Sequence, residues 1–154
     1  MIKKQNKLEK NKIMYGLKSI RVNSFSIETP KQKVNENEPV LYDFNVIPEI
    51  KYNLAENLIL VALQGTVKIK QTSEKVLEIN VAFIFAAKDL NSFILQNEKG
   101  IWDFKDKKDE GLIITLLSIS LSTLRGIIYE KTRGTIMDSV VMPVMDPSTF
   151  IKVD

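Results

Sequence analysis

The sequence predicts an α+β fold in which a four-stranded antiparallel sheet carries one long C-terminal helix on one face. Four segments in the first part of the chain alternate apolar and polar side chains, as strands with one solvated face do. Short turns join the last three of these segments, which favours antiparallel neighbours in one sheet. Further along, the apolar residues between Asp109 and Gly134 recur every three or four positions, which indicates a helix.

The first predicted strand, residues 14–28, changes the parity of its apolar side chains after Val22. A β-bulge at Asn23 and Ser24 explains this change, because a bulge inserts one extra residue into a strand. Pro30 follows the strand, and a polar loop leads to the next one.

The second predicted strand, residues 42–54, alternates strictly but carries Pro48 among its apolar positions. Proline has no N–H to donate to a neighbouring strand, so this residue predicts an edge strand or a bulge. Residues 58–70 and 76–87 form the third and fourth predicted strands. The third begins with side chains that are apolar on both faces.

The segment from Asp109 to Gly134 begins with acidic residues and ends with basic residues and a glycine, as a helix dipole and a glycine cap favour. Its β-branched residues leave a strand as the weaker alternative. One side is a ridge of large apolar residues, namely Ile113, Leu117, Leu121, Leu124 and Ile128. The opposite side is a stripe of small residues, namely Thr115, Ser118, Ser122 and Gly126. Since a helix that is apolar on most sides must be covered on most sides, we expect the sheet to cover the ridge and a second copy of the chain to cover the stripe.

The composition bounds the function. The chain has 154 residues, enough for one domain with its own core. It contains neither histidine nor cysteine, which removes the commonest general base, the thiolate nucleophile and two common metal ligands. There is also no glycine-rich phosphate loop and no recognisable acid–base pair. We therefore expect no catalytic activity, no metal and no cofactor.

The sequence also predicts a cytoplasmic protein without membrane insertion. Its N-terminal residues lack the apolar stretch of a secretory signal. The longest apolar run, residues 112–124, is short and rich in serine and threonine, which argues against a membrane span. The lack of cysteine fits a reducing compartment.

Basic residues are concentrated at the N-terminus. Residues 1–18 hold six lysines and one glutamate, whereas the rest of the chain holds 16 basic and 18 acidic residues. A lysine-rich segment without aromatic residues or arginines is typical of a solvated, flexible arm, and it is only a weak sign of nucleic-acid binding. We predict an arm at residues 1–13, a single domain at residues 14–154 and no nucleic-acid partner.

The segment that links sheet to helix, residues 89–108, is rich in large apolar residues but has no clear period. Aromatic residues in a connecting segment indicate a binding surface, and the alternative is a flap that covers the edge of the sheet. Asp103, Asp106 and Asp109 alternate with lysines and match no calcium loop, so we expect a solvated charged turn there.

Two segments of the chain resemble the SecB family of protein-export chaperones. SIRVNSFSIETP at residues 19–30 is similar to the first strand of that family, and IIYEKTRGTIMDSVVMPVMDPSTF at residues 127–150 is similar to its helix end and tail. The order of a sheet, an aromatic crossover and a long helix agrees as well. The resemblance implies a homotetramer built as a dimer of dimers, with long helices sandwiched between sheets.

The resemblance also implies a function. SecB-like holdases bind unfolded preproteins in apolar grooves, keep them competent for translocation or folding, and deliver them to the SecA motor. Family members that engage SecA carry two acidic residues on the first strand; Glu28 matches the second, whereas Ser24 occupies the position of the first. The acidic C-terminal helix extension of many members has no counterpart in this chain. Two alternatives follow: a chaperone dedicated to one client, such as an unstable antitoxin, or a structural subunit that kept the fold for assembly.

Candidate residues for these roles follow from residue type and region. The stripe is the candidate oligomer interface, and Glu28 is the candidate contact with the motor. The candidate peptide-binding residues are aromatic, namely Phe44, Phe83, Phe85, Phe93, Trp102 and Phe104.

Overall fold

The computed structural model of the protein describes residues 12–151. The strands are β1 (Tyr15–Ile27), β2 (Tyr42–Asn53), β3 (Leu58–Ile69), β4 (Lys75–Ala87), β5 (Ile94–Gln96) and β6 (Trp102–Phe104), and the long helix is α1 (Gly111–Thr132). Short 3-10 turns lie at Leu90–Ser92, Lys107–Glu110 and Pro147–Phe150. Most of the predicted N-terminal arm lies outside the described residues. Of its last two residues, Ile13 is buried against the core, so the folded domain includes it.

The four long strands form one antiparallel sheet in the order β1-β4-β3-β2, with β1 and β2 at its edges. This confirms the predicted α+β fold with its four-stranded sheet and single long helix. Pro48 lies within the edge strand β2, opposite Leu63 of β3. At an edge, one row of backbone groups has no neighbouring strand, so a missing N–H is tolerated there.

Two bulges explain the irregular pattern of β1. The pairing of β1 with β4 shifts between Leu17 and Ser19 and again between Val22 and Ser24. The second shift is the predicted bulge, and the first was not anticipated. Together they keep every large apolar side chain of β1 on the sheet face that carries the apolar side chains of β4. The cross-strand pairs are Leu17 with Phe85, Ile20 with Phe83, Val22 with Val81, Phe25 with Ile79 and Ile27 with Leu77.

The core lies between the sheet and α1, whose ridge is buried at all five predicted positions. Gly65 on β3 leaves room for the side chain of Ile79 on the neighbouring strand β4. A Cβ atom at this position would lie 3.0 Å from Cγ2 of Ile79 and 3.8 Å from Cδ2 of Leu124. Ser120 is fully buried, and its hydroxyl has no hydrogen-bond partner among the described residues.

The helix begins at Gly111, slightly later than predicted, because the acidic start of the segment forms a 3-10 turn. Asp106 caps that turn, and its Oδ1 accepts a hydrogen bond of 3.1 Å from the backbone N of Lys108. Gly134 follows the helix with a φ of 72°, the left-handed conformation that glycine adopts most easily. The predicted glycine termination is therefore present.

Among the described residues, one helical stretch is long and apolar enough to cross a membrane by length and composition alone. It covers residues 107–132, and an 18-residue window within it has a mean hydropathy of 1.8. This stretch is longer than the apolar run considered in the sequence. The ridge of this helix packs on the sheet. A helix that lies in a protein core is apolar because it is buried, so it meets the same criteria of length and composition.

Candidate functional site

The crossover between sheet and helix contains a small β-hairpin, which the sequence did not predict. Strands β5 and β6 pair antiparallel, and the turn between them is held by the side chain of Asn97. Its Oδ1 accepts hydrogen bonds of 2.9 Å from the backbone N of both Lys99 and Ile101. Gly100 completes the turn with a φ of 75°. The segment is therefore ordered by its own hydrogen bonds.

The base of the hairpin is anchored to the β2 edge of the sheet. The rings of Phe104 and Tyr52 meet edge to face, with 6.5 Å between their centroids. Ile94, which pairs with Phe104 across the hairpin, is buried in the core. The interpretation as a flap at the sheet edge thus fits the base of the hairpin.

The outer part of the hairpin exposes three large apolar side chains, which we call the hairpin patch. Leu95, Ile101 and Trp102 are 43%, 58% and 37% exposed. Trp102 lies two residues from Phe104 along β6 and shares its face of the hairpin, whereas Leu95 pairs with Asp103 and lies on the other face, so the hairpin patch includes both faces of the hairpin. Exposed apolar side chains on an ordered element at a sheet edge are typical of a binding surface.

The six predicted peptide-binding residues separate into two groups. Phe83 and Phe85 lie in the central strand β4 with no exposed surface, so they pack the core and present nothing to a ligand. Phe44, Phe93 and Phe104 are half-buried, and Trp102 is exposed. Sequence reasoning omitted Leu95 and Ile101. The asparagine and glycine between two short apolar runs were the available signal, because this combination favours a hairpin turn.

The electrostatic environment of the hairpin is mixed in sign. Burial, with a smaller contribution from the charge of Asp103, raises the pKa of Tyr52 to about 12. Asp103 accepts a 2.8 Å hydrogen bond from the backbone N of Phe104. Lys105 donates a 3.1 Å hydrogen bond from Nζ to the carbonyl oxygen of Asn91. Both signs therefore lie close to the patch, and neither dominates.

The acidic residues after the hairpin form a charged turn. The carboxylate of Asp106 lies 2.9 Å from Nζ of Lys108, and this hydrogen bond raises the pKa of that lysine. Within residues 12–151, no group of three or more acidic side chains is arranged to hold a metal ion.

A second exposed apolar surface lies on the opposite edge of the sheet, on β1. Tyr15, Leu17, Ile20 and Val22 are between 38% and 44% exposed, and we call them the β1 surface. Helix α1 packs over β3 and leaves this part of the same sheet face open. Nearer the end of β1, the ring of Phe25 is covered by Lys131, whose Nζ lies 5.4 Å from the ring centroid.

The stripe of small residues on α1 is also largely open in the protomer. Thr115 is half-buried, whereas Ser118, Ser122 and Gly126 are exposed. A Cβ atom added at Gly126 would meet nothing within 4 Å. Ser118 and Ser122 also line a cavity of about 390 Å³ together with residues 142–147, so a later segment of the same chain lies beside part of the stripe, whereas nothing lies near Gly126.

The outer face of the sheet, which points away from α1, carries three acids that each pair with a lysine. Asp43 lies 3.9 Å from Lys70, Glu49 lies 3.1 Å from Lys51, and Glu78 pairs closely with Lys75. Ser24, which stands at the position of an acid in the family resemblance, accepts a 2.7 Å hydrogen bond from Nδ2 of Asn80. Glu28 is exposed just beyond the end of β1.

Comparison with known proteins supports the fold. No protein-family model matches the chain, and no curated protein matches its sequence. Among solved structures, the chain is similar to the SecB-like chaperone Rv1957 of Mycobacterium tuberculosis, determined in complex with a ChAD peptide from the antitoxin HigA1 (Rv1956). The match has a TM-score of 0.58 and 13% sequence identity, and covers 85% of this chain and 90% of the other. The fold is therefore SecB-like.

Proposed function

We propose that this protein is a holdase chaperone that binds unfolded polypeptide and keeps it from aggregating. The observation that carries the proposal is the hairpin patch, in which Leu95, Ile101 and Trp102 are exposed on an ordered element. The structural neighbour binds a peptide of an antitoxin, which supports polypeptide as the ligand class. Binding of unfolded chain needs no catalytic group.

The chemistry of the patch fits a client that is recognised by apolarity and not by sequence. Apolar contact contributes about 25 cal/mol for each Å² that is removed from water, whatever the sequence that supplies it. The charges beside the patch have both signs, so they favour neither acidic nor basic clients. Ordering an extended client opposes binding, and a chaperone of this kind can therefore release its client again.

The test is a titration with reduced, carboxymethylated ribonuclease A, an unfolded client without tryptophan. Trp102 is the only tryptophan of the chain, so its emission reports on the face of the hairpin that carries it. We expect the emission of Trp102 to shift and the aggregation of an unfolded protein substrate to be suppressed. Folded ribonuclease A is the control and should leave the emission of Trp102 unchanged.

A pair of variants makes the test specific for the patch. Ile101→Ser should weaken client binding roughly tenfold, which corresponds to about 1.4 kcal/mol. Ile136→Ser is the matched control, because Ile136 is also 58% exposed but follows α1 in the chain and is no part of the hairpin. Equal affinity in both variants would show that the patch is not the client site, and absence of binding by the wild-type protein would reject the holdase function.

We further propose that the protein acts in the cytoplasm as a homotetramer, a dimer of dimers, in which copies of the chain cover the β1 surface and the stripe. Both surfaces are apolar or small, and both are open in the protomer. Stable interfaces usually bury about 800 Å² on each partner. A monomer in light scattering at micromolar concentration would reject this assembly.

A dedicated chaperone for one client is the second candidate, and the outer face of the sheet favours it over export through SecA. The three acids of that face are paired with lysines, and Ser24 offers no charge to a basic partner. We therefore expect no measurable association with SecA. Crosslinking in the native host, followed by identification of the bound proteins, separates one dominant client from many.

A further inference from the structure

The outer face of the main sheet has a polar half and an apolar half. The strand register aligns its side chains in rows that cross the sheet from β1 through β4 and β3 to β2. In the half that includes the beginning of β3, the two central strands present only aliphatic side chains to this face. These residues, which we call the outer apolar patch, are Leu58, Leu60, Ala62, Ala82, Ile84 and Ala86. Its three large side chains are only partly buried, although they lie in the middle of the sheet.

Opposite charges flank the outer apolar patch on its two sides. One row of the face consists of Arg21, Ala82, Ala62 and Glu49, in that order. Arg21 on β1 is exposed and forms no salt bridge with any residue that the structure describes. Glu49 on β2 pairs with Lys51, but the two side chains are 63% and 62% exposed. Since exposed pairs of this kind contribute little to stability, Glu49 can exchange its partner for another cation.

A two-fold axis parallel to the strands makes this face complementary to itself. If the axis lies above the face, between β3 and β4, each row meets the same row of a second copy in the opposite direction. The facing pairs across the patch are then Leu58 with Ala86, Leu60 with Ile84 and Ala62 with Ala82. Arg21 of each copy faces the partner's Glu49, so shape and charge agree in one arrangement.

The next row supplies a protruding side chain and a groove. Ile47 on β2 is 56% exposed, more than any other large apolar side chain of the main sheet. A groove of about 410 Å³ crosses the face at this row, from Asn23 and Ser24 on β1 to Ile47 and Glu49 on β2. Under the same axis, the partner's Ile47 faces the β1 end of the groove, which gives this side chain space.

The far end of the face limits the overlap. Lys68 and Lys75 are cross-strand neighbours there, and the same axis would place them against lysines of the second copy. We therefore expect contact over the four rows that begin at Leu58 and end at Gln64. Four strands about 4.8 Å apart, with seven residues that each rise about 3.4 Å, cover roughly 450 Å². Stable interfaces usually bury about 800 Å² on each partner, so the association should be weak and populated only above micromolar concentration.

We propose that the outer apolar patch is an interface between two copies of this chain, which stack through the outer faces of their sheets. Stacked sheets lie about 10 Å apart, a gap that the long side chains of Arg21 and Glu49 can bridge from both sides. The interface is separate from the β1 surface and the stripe, so stacking joins assemblies that have already formed. The inference goes beyond the holdase function and does not depend on it.

Charge-reversed variants test this interface. Arg21→Glu gives a chain with two acids at the contact, and Glu49→Arg gives a chain with two bases. Each variant opposes stacking with itself, whereas a mixture of the two restores opposite charges at both positions. Arg133→Glu and Glu36→Arg are the matched controls, because they change the net charge equally at exposed positions outside the sheet. Circular dichroism verifies that every variant is folded.

Light scattering measures the weight-average mass from low micromolar to submillimolar protein. We expect the mass of the wild type and of both controls to rise with concentration above its low-concentration value. Arg21→Glu and Glu49→Arg should each associate at least about tenfold more weakly, because both ion pairs of the symmetric contact become repulsive. An equimolar mixture of these two variants should regain the wild-type rise.

Three results would overturn the inference. A constant mass of the wild type over the whole range would leave the outer face to a different partner protein. An equal rise in the wild type and in both charge-reversed variants would place the association elsewhere on the molecule. A mixture that does not recover would exclude the pairing of Arg21 with the partner's Glu49. None of these results bears on the holdase function, which is tested with unfolded client.

Discussion

The two edges of the main sheet differ in what they leave open. The β2 edge carries Pro48 and is covered at one end by the hairpin, through the contact of Phe104 with Tyr52. The β1 edge has no proline and no covering element among the described residues, and its helix-side face exposes the β1 surface. An edge strand with unpaired backbone groups and apolar side chains favours pairing with a strand of another chain. A proline in an edge strand opposes such pairing, because it removes one of the backbone N–H donors. The difference suggests a division of roles, with assembly at the β1 edge and client binding at the hairpin.

The largest effect is expected at the β1 edge. Ile20→Asp should dissociate the assembly, because an unpaired charge buried in an interface costs roughly 3–5 kcal/mol. Ile47→Asp is the matched control, since Ile47 is an exposed isoleucine on the β2 edge. Sedimentation velocity measures the outcome. If both variants keep the wild-type mass, the β1 edge is no interface and the division of roles fails.

The stripe on α1 gives the next effect. Gly126→Leu should weaken the assembly, while Gly126→Ala should preserve it and stabilise the protomer by about 0.5–1 kcal/mol through its higher helix propensity. Space for a Cβ atom exists in the protomer, so a loss of assembly in the leucine variant has an intermolecular cause. Light scattering and urea unfolding of both variants measure the two quantities. If the leucine variant still assembles, the stripe on α1 is not part of the interface.

The anchor of the hairpin is sensitive to alkaline pH. The folded state raises the pKa of Tyr52 to about 12, above the ordinary value of 10.0. Between these values the unfolded chain loses its phenolic proton while the folded chain keeps it, so stability is present below pH 10 and declines toward pH 12. Tyr52→Phe keeps the ring and removes the hydroxyl. We expect a smaller loss of melting temperature between pH 9.5 and 11.5 in this variant, and an equal loss would assign the alkaline sensitivity elsewhere.

The smallest effect concerns the core that both edges share. Ser120→Ala removes a buried hydroxyl without a partner and should stabilise the protein by roughly 1 kcal/mol, beyond the gain from helix propensity alone. Helix propensity alone accounts for at most about 0.7 kcal/mol of the difference between serine and alanine. Urea unfolding of the wild type and the variant gives the two free energies. A gain no larger than this propensity contribution would mean that the Ser120 hydroxyl is solvated in solution.

The features that were predicted from sequence are those with local periods. Strand alternation, the bulge near Ser24 and the ridge of α1 are set by residues close together in the chain, and all of them are present. The hairpin was missed because strands of three residues are too short to show a period. The sequence makes Phe83 and Phe85 candidates for peptide binding, but both are buried in the structure, and their burial depends on β1 pairing with β4, a contact between distant parts of the chain. The order of the strands in a sheet cannot be read from the pattern of residues within each strand.

The paired acids on the outer face have a kinetic consequence. Asp43, Glu49 and Glu78 each have a lysine as a near neighbour, so these three acids produce little net negative field beyond a Debye length of about 10 Å. A basic partner that approaches this face is therefore not guided by long-range attraction to these acids, an attraction that can raise association rates by roughly 10 to 1,000 times at low ionic strength. Salt should not slow the encounter of such a partner with this face. A basic protein that recognises this side of the molecule must do so by shape and short-range contact.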